Sequence, residues 1–135
     1  MASSGFAAFG TGITFDGTEV KELTNIAWDI GTVDDIDITN HDSPDTTEEF
    51  VPGIIRVGEI TLEGNFVPTD TGQVSLITNL QARTSAAVVI TCSDAGAATF
   101  TGTAYVKSFR PGAPVDGKTT LTATLKASGK ITFAA

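Results

Sequence analysis

Period-two alternation runs through most of the chain. From Leu121 the odd positions Leu121, Ala123, Leu125, Ala127, Gly129, Ile131 and Phe133 fall on one side, and Thr120, Thr122, Thr124, Lys126, Ser128, Lys130 and Thr132 on the other. Such a pattern predicts a long strand over about 119–133 with one buried and one wet face, bent at Gly129. "TFTGTAYVKSF" repeats it, with Phe100, Gly102, Ala104 and Val106 facing in and Thr101, Thr103, Tyr105 and Lys107 facing out. The turn-rich "RPGAPVDGK" between them predicts a hairpin. "GEITLEGNFV" sets Ile60, Leu62, Gly64 and Phe66 against Glu59, Thr61, Glu63 and Asn65. "NIAWDI" puts Ile26, Trp28 and Ile30 in phase, and "GITF" and "AVVITC" bring the count to about seven strands.

Two segments depart from this rhythm. In "TDTGQVSLITNLQART" the apolar Val74, Ile77 and Leu80, with Leu76 beside them, are spaced for a helix. Asp70 as N-cap with Gln73 three residues on makes a capping-box-like start. One amphipathic helix over about 71–83 is expected to cover an open end or face of the sheet. In "DDIDITNHDSPDTTEEFVPGI" the first part alternates, with Ile36 and Ile38 predicted inward and Asp35, Asp37 and Thr39 outward. From Asn40 to about residue 57 the chain reads as a long polar loop, kept irregular by Pro44 and Pro52-Gly53. The fold class is therefore mainly β: one domain, a β-sandwich or partly closed barrel, over residues 13–135. Residues 1–12, small and uncharged apart from Phe6 and Phe9, read as a flexible N-terminal arm. No internal repeat is visible.

Composition agrees, with 22 threonines and 14 glycines in 135 residues. The net charge of −8 is unevenly spread: residues 1–67 carry 13 carboxylates against Lys21 and Arg56, whereas residues 68–135 carry three against six bases. An acidic chain without a Lys/Arg cluster lacks the electrostatic footprint for gripping nucleic acid. Its polarity suits either head-to-tail mating of copies or simple solubility. No segment has the form of a signal peptide or is long enough to span a bilayer, so no membrane insertion is expected. Cys92, the only cysteine, lies in an apolar run and reads as a buried core thiol.

Three constellations raise the question of chemistry. His41-Asp42-Ser43 contains the residue types of a hydrolase triad, but neighbours on an extended chain point to alternate sides and cannot converge as a relay. Asp34, Asp35, Asp37 and Asp42 offer hard oxygen ligands for calcium. Strand-core isoleucines interleave them, however, and Asn40 stands where a turning glycine is needed. Glu59 and Glu63 share a face, as paired glycosidase carboxylates would. The chain has only one Trp and one Tyr, though, too few for a sugar platform. No catalytic residue, metal ligand or cofactor is therefore expected. A monomeric binding module, perhaps for carbohydrate, remains an alternative at this level.

The order of "IDITNHDSP", an acidic loop, "EEFVPGIIRVGEITLEGNF", "PTDTGQ" and "FTGTAYVKSFRPGAPVDGKTTLTATLKASGKITF" resembles the major tail (tail tube) proteins of long, non-contractile-tailed bacteriophages, over roughly residues 20–133. The resemblance implies a structural virion protein whose copies form hexameric rings, stacked into a hollow tube through which DNA passes without specific binding. It implies partners among the other tail proteins (tape measure, tail tip and terminator), assembly in the bacterial host cytoplasm, and no enzymatic activity. On this reading Phe6, Phe9, His41, Asp42, Asp45, Glu48, Glu49 and Phe50 are candidate ring-to-ring contacts. Glu59, Thr61, Glu63 and Asn65 are candidates for the lumen wall. A secretion-system tube subunit of the same fold is the nearest alternative.

Overall fold

A computed structural model describes residues 8–135. The described residues form nine strands and one α-helix: β1 (Gly12–Phe15), β2 (Thr18–Val20), β3 (Leu23–Trp28), β4 (Thr32–Asp37), β5 (Phe50–Arg56), β6 (Glu59–Asn65), α1 (Thr71–Ala82), β7 (Ser85–Thr91), β8 (Thr99–Gly112) and β9 (Thr120–Ala134). Seven strands make one antiparallel sheet in the order β2-β1-β7-β8-β9-β6-β3, curled into a half-barrel. The other two, β4 and β5, pair only with each other.

The alternating runs land as predicted on the long strands. Ala104, Val106, Leu121, Ala123 and Leu125 join Ile60, Leu62, Val88, Ile90, Ile13, Phe15 and Val20 in the core. Burying each large side chain of this set contributes about 1.5–3 kcal/mol. Gly129 adopts a positive φ of 87°, where the β8–β9 register slips between Thr101 and Thr103. A side chain there would be strained, which is why the predicted bend falls on this glycine.

Curling follows from the chain path. The edge strands β2 and β3 are joined by Lys21 and Glu22 alone, so the two ends of the sheet meet at that point. Asn65 N–H donates to the Glu22 carbonyl at 2.8 Å. The Gln73 side chain, fully buried, gives Nε2 to the carbonyls of Lys21 (3.1 Å) and Asn65 (2.9 Å), while its Oε1 accepts from Val67 N–H (2.9 Å). Gly72 makes this docking possible, since a Cβ there would lie 2.2 Å from the Glu19 carbonyl oxygen. Asp70 caps the helix by accepting from Gln73 N–H, as expected. Gln73 does not return the bond to Asp70, whose N–H goes to Val67, and serves as a cross-element clamp instead.

Five expectations change. Phe133, set on the buried side of β9 by the alternation, is exposed beyond the bend at Gly129. The helix buries Gly72, Gln73 and Leu76, with Leu80 partly buried, and leaves Val74 exposed; the close approach at Gly72 sets its rotation. Residues 50–56 of the expected long loop are strand β5, so only the stretch to Glu49 is loop, with a short 3₁₀ turn at Pro44–Thr46. Ile36 and Ile38 are exposed rather than inward, because the β4–β5 hairpin has no sheet behind it. Cys92 is only half-buried rather than a core thiol, and lines an open groove together with Trp28.

Candidate functional site

The β4–β5 hairpin springs from the far ends of β3 and β6. At its root Asp29 N–H donates to the Glu59 carbonyl, and Asp29 Oδ1 accepts from Gly31 N–H at 2.9 Å. The strand register sorts its side chains into two faces. Val33, Asp35, Asp37, Phe50, Pro52 and Ile55 share one; Ile36 and Val51 share the other with the Asp34–Arg56 ion pair, 2.8 Å apart. Large apolar side chains are exposed on both, with Ile55 at 60% and Ile54, in the register shift, at 63%. A two-stranded ribbon is marginal on its own in water, and one apolar on both faces needs something to pack against.

His41, Asp42 and Ser43 lie at the hairpin's tip, where the side chains of Ser43 and Asn40 hold the turn. Asn40 N–H donates to Ser43 Oγ (3.0 Å), Ser43 N–H to the Asn40 carbonyl (3.1 Å) and Asp42 N–H to Asn40 Oδ1 (2.8 Å). Thr39 Oγ1 accepts from Glu49 N–H at 2.7 Å and closes the tip. A side-chain and a backbone hydrogen bond from Thr39 hold the Asp37 carboxyl below the usual carboxylate value. Asp45 takes up a left-handed conformation in the turn. Of the tip's carboxylates, Asp42, Asp45 and Glu48 are exposed and Glu49 is half-buried. Among the described residues no three His, Cys, Asp or Glu side chains are grouped to hold a metal ion.

The second feature is a groove of about 980 Å³. Strands β8 and β9 outrun β6, whose first residue, Glu59, pairs with Lys126. The overhang presents Phe100 and Phe133, stacked at 5.0 Å, and Trp28 packs on Phe100 at 5.3 Å. Leu23, Ile26, Cys92 and the segment 8–11 contribute to the walls, and among the described residues Asp94 is the one charged side chain lining it. Phe9 stands at this rim, 96% exposed. Phe6 lies outside the described residues.

The third is the wet face of β6, β9 and β8. Glu59, Thr61, Glu63 and Asn65 lie together on it, opposite the buried Ile60, Leu62 and Gly64. Their register partners are Lys126, Thr124, Thr122 and Thr120. The face is not acidic on balance: Glu59 and Glu63 sit among Lys107, Lys126 and Arg110. Glu59 Oε1 accepts from Lys107 Nζ at 2.8 Å. That hydrogen bond and the opposite charge lower the glutamate's pKa and raise the lysine's. Asn65 is the least available of the four, its buried Oδ1 finding no partner.

No protein-family model matches the chain, and no curated protein does. Solved structures match its fold. A chain of the virion of a native gene transfer agent (GTA) particle superposes with a TM-score of 0.80 at 16% identity, covering 97% of this chain and 100% of that one. The tail of the empty GTA particle, with C6 symmetry, gives 0.71 at 16% identity over 87% and 85%. The sheath/tube terminator of an extracellular contractile injection system (PVC), in its extended state, gives 0.78 at 13% identity over 100% of both. The SPP1 tail tube gives 0.65 at 12% identity over 93% and 76%. The likeness extends to a contractile system, and so is broader than non-contractile tails.

Proposed function

We propose that this chain is a structural tube subunit: copies join into hexameric rings, and the rings stack into a hollow tail tube that conducts DNA. The observation that carries the reading is the β4–β5 hairpin, apolar on both faces and, among the described residues, paired with no other strand, on a fold shared with tube and tube-terminator proteins. A surface patch whose complement lies elsewhere on the same molecule makes head-to-tail contacts, which close into rings or run on as filaments. Sixfold order is supported by the symmetry of the GTA tail. The hairpin tip (His41, Asp42, Asp45, Glu48, Glu49, Phe50) and the N-terminal arm with Phe6 and Phe9 make the ring-to-ring contacts. The wet sheet face with Glu59, Thr61, Glu63 and Asn65 lines the bore, where threonine hydroxyls predominate and the two carboxylates beside Lys107, Lys126 and Arg110 keep the surface from being a strong phosphate-binding one. Other tail proteins cap and measure the tube, which works in the virion after assembly in the host cytoplasm, and the chain carries out no catalysis.

A contractile or secretion-type tube is the second reading, favoured by the match to the injection-system terminator. Sedimentation velocity over a concentration series tests what the two share. Ring-sized and larger species should grow with concentration, whereas a single monomeric species throughout would support an isolated binding module.

A further inference from the structure

Asp-Gly occurs twice in the chain, at Asp16-Gly17 and Asp116-Gly117, and both pairs lie at exposed hairpin turns that the proposed tube contacts do not use. A glycine after aspartate leaves its own backbone nitrogen open to the aspartyl side chain, because no Cβ stands in the way. The fold treats the two pairs differently. Asp16 and Gly17 are the two loop residues between the paired Phe15 and Thr18, and both take a positive φ, 54° and 77°, as a type I′ turn requires. Asp16 N–H donates to the Ala87 carbonyl at 2.9 Å, and Phe15 beside it is fully buried in the core. Rotating this turn breaks a strand pair and lifts a core phenylalanine. Asp116 and Gly117 stand instead in the stretch 113–119, beyond the last ladder pair, Gly112 with Thr120. Every residue of that stretch is exposed. Gly117 N–H reaches the Pro114 carbonyl only at 3.4 Å, outside the usual range of about 2.7–3.2 Å. The loop is anchored at Thr119, which exchanges hydrogen bonds with Phe66 and leaves Asp116 free to turn.

We infer that Asp116-Gly117 is a site of spontaneous covalent modification, where the chain converts to an isoaspartyl linkage while Asp16-Gly17 stays intact. The Gly117 nitrogen attacks Cγ of the neutral Asp116 carboxyl. A Cγ–N bond forms, the carboxyl's hydroxyl leaves with the amide proton as water, and a five-membered succinimide results. Water then adds to one of the ring's two carbonyls. Cleaving the new Cγ–N bond restores aspartate. Cleaving the original peptide bond leaves Gly117 attached through Cγ, with a free carboxylate where the main-chain carbonyl stood. One water is released and one taken up, so the mass is unchanged and nothing is oxidised or reduced. The main chain gains one carbon, which a loop outside the ladder accepts without disturbing the β8–β9 pairs. At Asp16 the same change would lengthen a two-residue turn whose register the core fixes.

Ageing the purified protein in mildly acidic buffer at physiological temperature, then peptide mapping with electron-transfer fragmentation, reads both sites in one sample. Isoaspartate should accumulate at position 116 at least about tenfold faster than at position 16. That ratio corresponds to about 1.4 kcal/mol more free energy to open the Asp16 turn. In urea, where neither turn persists, the two sites should convert at similar rates. Gly117→Ala, in an exposed loop and at a φ that is not positive, should suppress conversion at 116 by crowding the attacking nitrogen. Asp116→Asn should speed it, with ammonia leaving in place of water. Equal conversion of the two sites in the folded protein, or none at 116, overturns the inference. So does conversion at 116 that Gly117→Ala leaves undiminished. A preference for 116 that urea leaves unchanged also overturns it, by placing the cause in the local sequence rather than the fold. None of these outcomes bears on the tube reading.

Discussion

At the scale of single residues, Gln73 has the clearest structural task. Its amide satisfies three backbone groups from three segments while itself excluded from water. Gln73→Ala would leave Lys21, Asn65 and Val67 groups unpaired where the sheet's edges meet. The expected loss is about 2–4 kcal/mol, read as a lower denaturant midpoint with little change in slope. Glu59 gives a pH prediction. Its folded-state pKa is lowered, so the contribution of its contact with Lys107 is fully present above the unfolded value of about 4.3 and fades as pH falls through the lowered one. Both groups are exposed, so the stability effect is small and salt-sensitive. NMR titration of the Glu59 carboxyl carbon should show a higher midpoint in Lys107→Ala, and an unchanged midpoint would count against the pairing.

At the scale of elements, what was legible depended on whether the chain supplies both sides of a packing contact. Strands β6, β8 and β9 bury one face within the monomer, and their alternation picks out the buried residues as far as Ala127; beyond the bend at Gly129 the same phase puts Phe133 inward, where it is exposed. The same alternation in β4 gave the strand but placed Ile36 and Ile38 inward. A two-residue period says that two faces differ, not that either has a partner in the same chain. Strand β5 is not legible as a strand because "FVPGIIR" does not alternate and contains Pro52 and Gly53. In the hairpin Pro52 faces Asp35 beside the register shift, a position that tolerates a proline. Glu59, Thr61, Glu63 and Asn65 share a face because a single strand carries them, and His41 to Glu49 share the hairpin tip, whereas Phe9 stands apart at the groove. The groove is not legible in the sequence, because its walls come from both termini of the sheet and nothing in their spacing unites them. The hairpin's exposure gives a test that separates folding from assembly. Ile54→Asp combined with Ile55→Asp should change monomer stability by no more than about 0.5 kcal/mol each, as surface substitutions do. Assembly into sedimenting tubes should be lost, and normal tubes would mean the hairpin's apolar residues are not buried between copies.

At the scale of the whole molecule, the half-barrel, overhang and hairpin describe a subunit that is finished as a fold and unfinished as a surface. The core, clamp and long ladder complete the fold, while the apolar hairpin and the aromatic groove remain open at the same end of the sheet. The uneven charge adds to this. Seven carboxylates lie between Asp34 and Glu49, whereas the wet face of β6, β8 and β9 carries the excess of bases, an arrangement that orients neighbours before they touch. Electron cryo-microscopy of the concentrated protein is the most direct test. It should show hollow tubes of stacked six-membered rings, with every β4–β5 hairpin enclosed by neighbouring copies and the Glu59–Asn65 face turned to the bore. A field of uniform monomers at every concentration and salt condition would contradict the assignment.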